Sequence, residues 1–148
     1  MKYLLAIISL FIFFNFASFA QTKDDKAKKE ELIYSQKIAF ITERLQITPN
    51  EAQKFWPLYN EYWKRKNKLI VERNNIMNKA KNELDQLNEQ ECKELANEYN
   101  AIRLKETKLF NEYNEKFQTV LPPKKVLQLY ISDSEFKSYL LKQLKKSK

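Results

Sequence analysis

"ITPNEAQKFWPLYNEYWKRK", residues 47–66, is the stretch that decides the fold. Thr48 is placed as a helix N-cap, Pro49 suits the first helical position, and Glu51, three residues after Thr48, completes a capping box. Pro57 falls too late for that first turn. Its missing N–H leaves the Gln53 carbonyl without its helical donor, so the spacing predicts a bend there and not a stop. At about 100° per residue, Phe55, Trp56, Tyr59, Tyr62 and Trp63 fall within an arc of about 120°. The same face continues through Lys66, Ile70, Arg73, Met77 and Ala80, placing two cations inside an apolar stripe.

A second start signal stands in "LDQLNEQEC", residues 84–92. Asn88 can cap, Glu91 is three residues on, and Leu87 can staple against Cys92. The helix that follows carries Cys92, Leu95, Tyr99, Ile102, Glu106, Leu109, Tyr113, Phe117 and Val120 on one face. Folding the two helices about Gln86 brings the stripes into register, each pair equidistant from that residue. Ala52 meets Val120, Phe55 meets Phe117, Tyr59 meets Tyr113, Trp63 meets Leu109, Ile70 meets Ile102 and Met77 meets Leu95. The same register sets Lys66 opposite Glu106 and Arg73 opposite Tyr99. A long antiparallel helical hairpin with a mixed three-four seam follows.

Outside the hairpin, Tyr34, Ile38, Ile41 and Leu45 mark the apolar stripe of a first helix, widened by Ile33 and Phe40. "VLPPKK", residues 120–125, ends the third helix, and Pro123 opens a fourth bearing Val126, Tyr130, Phe136, Leu140, Leu141 and Leu144. Ser132, Asp133 and Ser134 either break this helix or form its polar face, and one continuous helix is the favoured reading. The expected fold is all-α: four helices, with the hairpin of the second and third flanked by the first and fourth.

Of the 148 residues, 43% are hydrophobic and 31% charged, enough apolar material for the core of one domain. The apolar run after Lys2, closed by Ser18-Phe19-Ala20, reads as a signal peptide over residues 1–20, cleaved after Ala20. Residues 21–30 form a charged, flexible lead-in, and residues 31–148 the helical domain. Cys92 is the single cysteine, so no internal disulfide forms, and it reads as a small buried apolar residue.

The 27 Lys and Arg outnumber 19 Asp and Glu, a formal net charge of +8. In an exported protein this excess points away from nucleic acid and toward acidic surfaces, including unfolded acidic proteins. With no glycine there is no phosphate-cradling loop, and with no histidine there is neither a Ser-His pair nor the usual zinc site. Glu91 and Glu94 stand at helical spacing as solvated face residues. The composition argues against an enzyme and calls for no cofactor.

"LQITPNEAQKF", residues 45–55, resembles the LTxxQ motif of the Spy/CpxP family of exported envelope-stress proteins. Ile47 stands for Leu, followed by Thr48 and, at a wider spacing, Gln53, while Glu51 supplies the cap. "VLPPKKVLQLY", residues 120–130, is similar to the second copy with Pro122 in place of Thr. The mature chain with its "FWPLYNEY" run resembles the branch labelled sensors of extracytoplasmic-function-type sigma factors. The resemblance implies a periplasmic, four-helix cradle, frequently a homodimer, that holds unfolded or partly folded envelope proteins without ATP. The alternative partner is one regulatory envelope protein, and an anionic membrane surface is the weaker third. Ile33, Phe40, Trp56 and Tyr62, interleaved with Lys37, Lys64 and Arg65, are the candidate client-binding residues.

Overall fold

The structure, a computed structural model, describes residue 25 and residues 28–146. Among these the backbone is helical and no strand occurs. Helix α1 covers residues 28–45, α2 Pro49–Glu83, α3 Glu89–Val120 and α4 Pro123–Lys146. A 3-10 turn, Leu84–Gln86, joins α2 to α3. The leader expected over residues 1–20, and most of the lead-in, lie outside the described residues. Lys28, Lys29 and Glu30 already belong to α1, so that helix begins inside the charged segment. The chain divides into two compact units, Leu45–Ile131 and the described parts of Met1–Arg44 with Ser132–Lys148.

Both capping boxes form. The Glu51 backbone N–H donates to Thr48 Oγ1 at 3.3 Å while the Thr48 N–H donates to Glu51 Oε2 at 2.8 Å. Asn88 and Glu91 reciprocate at 3.0 and 2.8 Å. Two orphan N–H groups at each helix start are thereby satisfied. Helix α2 runs unbroken through Pro57, whose exposed position lets solvent reach the Gln53 carbonyl. Before α2 the chain turns through Gln46 at φ 46°, a left-handed conformation in a chain that has no glycine to supply it. Lys125 braces this turn, donating to the Gln46 carbonyl at 2.9 Å and to Glu51 at 2.6 Å.

The hairpin core is aromatic. Phe55 lies 5.5 Å from Phe117 between ring centroids, level across the seam as the register requires. Tyr62 lies tilted against Tyr113 at 5.2 Å and meets Phe117 edge-on at 5.7 Å, and all of these rings are buried. The polar pairs depart from the expected register. Glu106, set opposite Lys66, is held by Arg73 at 2.6 and 2.8 Å and by Arg103 at 2.9 Å. Side-chain direction explains the offset. Helical side chains lean toward their own N-terminus, and in antiparallel helices the two directions converge. A long pair such as Arg73 and Glu106 therefore meets from positions about 10 Å apart along the axis. Among the rings, Phe55 and Phe117 meet level, whereas Tyr113 meets Tyr62 and not Tyr59, an offset in the same direction.

Burial along the hairpin is uneven. The buried residues of α2 are Phe55, Tyr59 and Tyr62, all in its first half, and none follows as far as Glu83. Leu121, Val126 and Leu129 add to the core at the open end, where the Tyr130 hydroxyl donates to Asn114 at 2.7 Å. Leu121 caps α3 in extended backbone before Pro122, its N–H donating to the Phe117 carbonyl at 2.8 Å.

In the other unit, α1 packs on the second half of α4. Phe40 and Phe136 lie 5.6 Å apart, and Lys37 pairs with Asp133 at 2.7 Å. Helix α4 is continuous through Ser132, Asp133 and Ser134, but of the three Ser134 alone is exposed: Ser132 is fully buried and Asp133 half-buried. Leu141, expected on the apolar face, is 61% exposed, whereas Leu129 takes a core position. Starting from Val126 and Leu129, the buried line runs through Ser132 to Phe136 and leaves Leu141 on the far side.

Candidate functional site

The hairpin carries an open groove of about 460 Å³ midway along its length. Helix α2 supplies Arg65, Lys68, Leu69 and Glu72, and α3 supplies Lys105, Lys108, Leu109 and Glu112. They converge because these residues flank the seam on both helices. Arg65 forks onto Glu112 at 2.9 and 3.2 Å and contacts the Tyr113 hydroxyl at 3.4 Å. Lys116 reaches the same carboxylate at 2.7 Å and sits 4.5 Å from the centre of the Tyr113 ring. Hydrogen bonds from Lys116 and then Arg65 hold the Glu112 carboxyl below its ordinary range, and burial pushes the Tyr113 hydroxyl up. Glu112 therefore stays ionised and fully engaged. Lys68, Lys105 and Lys108 line the same groove with no ion pair among the described residues, over the apolar floor of Leu69 and Leu109.

A second hollow, about 270 Å³, lies at the closed end of the hairpin. Ala80 and Ala96 are the small residues that leave it open, and Met77, Leu84, Leu87 and Leu95 make it apolar. Cys92 lines it as a free, half-buried thiol. In the other unit, Phe40, Arg44, Ser134, Glu135, Ser138, Tyr139 and Lys142 line a third hollow of about 370 Å³. Arg44 lies 5.1 Å from the Phe40 ring centre and 3.5 Å from Glu135.

The candidate client-binding residues divide accordingly. In the hairpin unit Lys64 and Arg65 are exposed, and Arg65 opens onto the groove. Trp56 is half-buried, edge-on to Phe55 and Tyr59. Tyr62 is 8% exposed inside the seam, and in the other unit Lys37 is 2% exposed against Asp133. Neither offers a surface while the helices stay packed. Ile33 and Phe40 are half-buried. Thr48, Glu51 and the neighbouring Ile47 and Gln53 occupy the start of α2, where Thr48 and Glu51 form its cap.

The groove lysines were not among the sequence candidates. Their signal was available: they stand beside Leu69 and Leu109, on the flank of each seam stripe, but a charged flank reads as ordinary solvated surface. Among the described residues no cluster of three or more His, Cys, Asp or Glu could hold a metal ion, and no helix is long and apolar enough to cross a membrane. Compared with protein-family models, with characterised proteins and with solved structures, the chain matches none of them.

Proposed function

We propose that the chain is an exported, ATP-independent holding protein of the cell envelope that binds unfolded or partly folded proteins. The observation that carries this reading is the mid-hairpin groove, where Lys68, Lys105 and Lys108, with no ion pair among the described residues, line the walls over Leu69 and Leu109. An unfolded segment presents apolar side chains and carboxylates together, in no fixed order. An open groove with an apolar floor and exposed cationic walls meets both needs without demanding a shape. Charge steers the encounter, and the exposed, solvent-screened lysines hold it weakly, so release needs no nucleotide. The chain also has no glycine with which to build a nucleotide loop. Export rests on the leader-like residues 1–20 and on the LTxxQ resemblance.

The test is light scattering of several unrelated denatured proteins, with and without the purified protein and with no nucleotide present. Suppression at near-stoichiometric amounts, weakened by salt and abolished in the triple variant Lys68→Glu, Lys105→Glu, Lys108→Glu, is the expected result. A protein that ignores all of these clients is instead a regulator with one dedicated envelope partner, and the holding function falls.

A further inference from the structure

The hollow lined by α1 and the second half of α4 lies wholly within one unit and shares no residue with the client groove. Its floor is aromatic. Phe136, 3% exposed, meets Phe40 at 5.6 Å and stacks on Tyr139 at 6.1 Å, so one buried ring fixes the two that line the hollow. Tyr139 is nonetheless 43% exposed, a ring held in place and open to a ligand. Around the rings stand groups with hydrogen-bonding capacity to spare. Arg44 lies against the Phe40 ring with its Nε toward Glu135, and its two terminal amino groups donate no hydrogen bond among the described residues. Lys142 and the Ser134 hydroxyl make none among them either. The Ser138 hydroxyl donates to the Ser134 carbonyl at 3.2 Å and keeps its lone pairs for another donor.

This combination narrows the occupant. A purely apolar ligand would strip water from Arg44, Glu135 and Lys142 and put nothing in its place. An inorganic anion would gain nothing from Tyr139 and would face the Glu135 carboxylate. A flat heterocycle gains most from stacking on open rings, and Arg44 already lies against Phe40. A hydroxylated ring matches every part. Its C–H face is apolar and suits an aromatic platform, while each hydroxyl on its rim both donates and accepts, as Glu135, Ser134 and Ser138 require. Two cations stand against one carboxylate, so the ring that fits carries negative charge, and the Arg44 fork has the shape to take a carboxylate. At about 370 Å³ the hollow stands at the small end of ligand sites, which begin at about 300 Å³, a size for a short saccharide.

We propose that this hollow binds an acidic sugar, a hydroxylated ring bearing a carboxylate. Tyr139 lies under the ring, Arg44 and Lys142 take the carboxylate, and Ser134, Ser138 and Glu135 take the hydroxyls. The site is open to solvent, so a single ring binds with a Kd on the order of 1 mM. It is independent of the holding function. A protein seated on an acidic glycan in this way keeps Lys68, Lys105 and Lys108 uncommitted.

Amide chemical shifts of the purified, isotope-labelled protein test the proposal, with sodium glucuronate, glucose and sodium acetate titrated separately at constant ionic strength. Glucuronate shifts amides within residues 40–44 and 134–142 saturably. Glucose, which lacks the carboxylate, binds about tenfold or more weakly, and acetate, which lacks the ring, shows no saturation. Tyr139→Ala and Arg44→Gln each weaken glucuronate binding about tenfold or more, with helical circular dichroism unchanged because both side chains are largely in solvent. The triple variant Lys68→Glu, Lys105→Glu, Lys108→Glu binds glucuronate as wild type does. The proposal is overturned by an absence of saturable shifts with glucuronate, by glucose or acetate saturating the same amides as tightly, or by undiminished binding in Tyr139→Ala.

Discussion

Phe117 and Phe110 lie seven residues apart on α3, and the same substitution should separate them sharply. Phe117 is 1% exposed, with ring neighbours Phe55, Tyr59, Tyr62 and Tyr113 at 5.5 to 6.3 Å. Truncation to alanine loses the transfer energy of a fully buried ring, several aromatic contacts, and packing around a cavity that four rigid rings cannot close. Together these cost about 4 kcal/mol. Phe110 is 42% exposed and touches one ring, Tyr130, at 5.1 Å, so its loss costs about 1 kcal/mol. The helix-propensity gain of alanine is common to both and cancels in the comparison. With a urea dependence of about 1.5 kcal/mol per molar, Phe117→Ala lowers the unfolding midpoint by about 2 to 3 M and Phe110→Ala by under about 1 M. Circular dichroism at the helical minimum, followed through urea, measures both. Midpoints that coincide would refute the reasoning, since the aromatic cluster would then contribute no more than a surface contact.

Two further predictions concern charge. The Glu51 carboxyl is held down to about 2 from its ordinary 4.5, first by the hydrogen bond from Lys125 and then by the Thr48 backbone. A depressed carboxyl stabilises the fold fully above its ordinary value, and that contribution is lost as pH falls from about 4.5 toward about 2. Thermal melts should therefore show a shallower acid decline for Glu51→Gln than for wild type in that window, and parallel curves would count against the Lys125 contact. At the buried pair of Lys37 and Asp133, Asp133→Ala strands a cation and costs about 3 kcal/mol, whereas Lys37→Met with Asp133→Leu restores stability to within about 1 kcal/mol. Equal losses in the single and double variants, measured by urea unfolding, would contradict that account.

The fold was legible wherever the deciding interaction was local or periodic. Thr48 with Glu51 and Asn88 with Glu91 act within one turn, so their sequence spacing is already their geometry. The seam of Phe55 on Phe117 followed because two stripes of one period can be laid against each other from a common turn. Legibility failed where a residue's environment came from a distant partner. Lys37 reads as a surface cation until Asp133, 96 positions away, is brought to it. Tyr62 was assigned to the client surface from its place at the edge of a helical arc, and a thick ring at such an edge still reaches Tyr113 across the seam. The groove lysines escaped for a related reason. What distinguishes them from other exposed cations is the floor of Leu69 and Leu109 that they share, and that is visible only once α2 and α3 lie side by side.

The uneven burial of the hairpin also sets a gradient of opening. Amides flanking Phe55 and Phe117 are protected by the aromatic core and exchange with solvent only when the whole unit unfolds. Amides between Ile76 and Tyr99 are backed by an open apolar hollow and exposed Met77 and Leu84, and they exchange through separation of the two helix ends alone. The turn that joins α2 to α3 is thus the first part of the hairpin to fray, even though it is where the chain ties the two helices together.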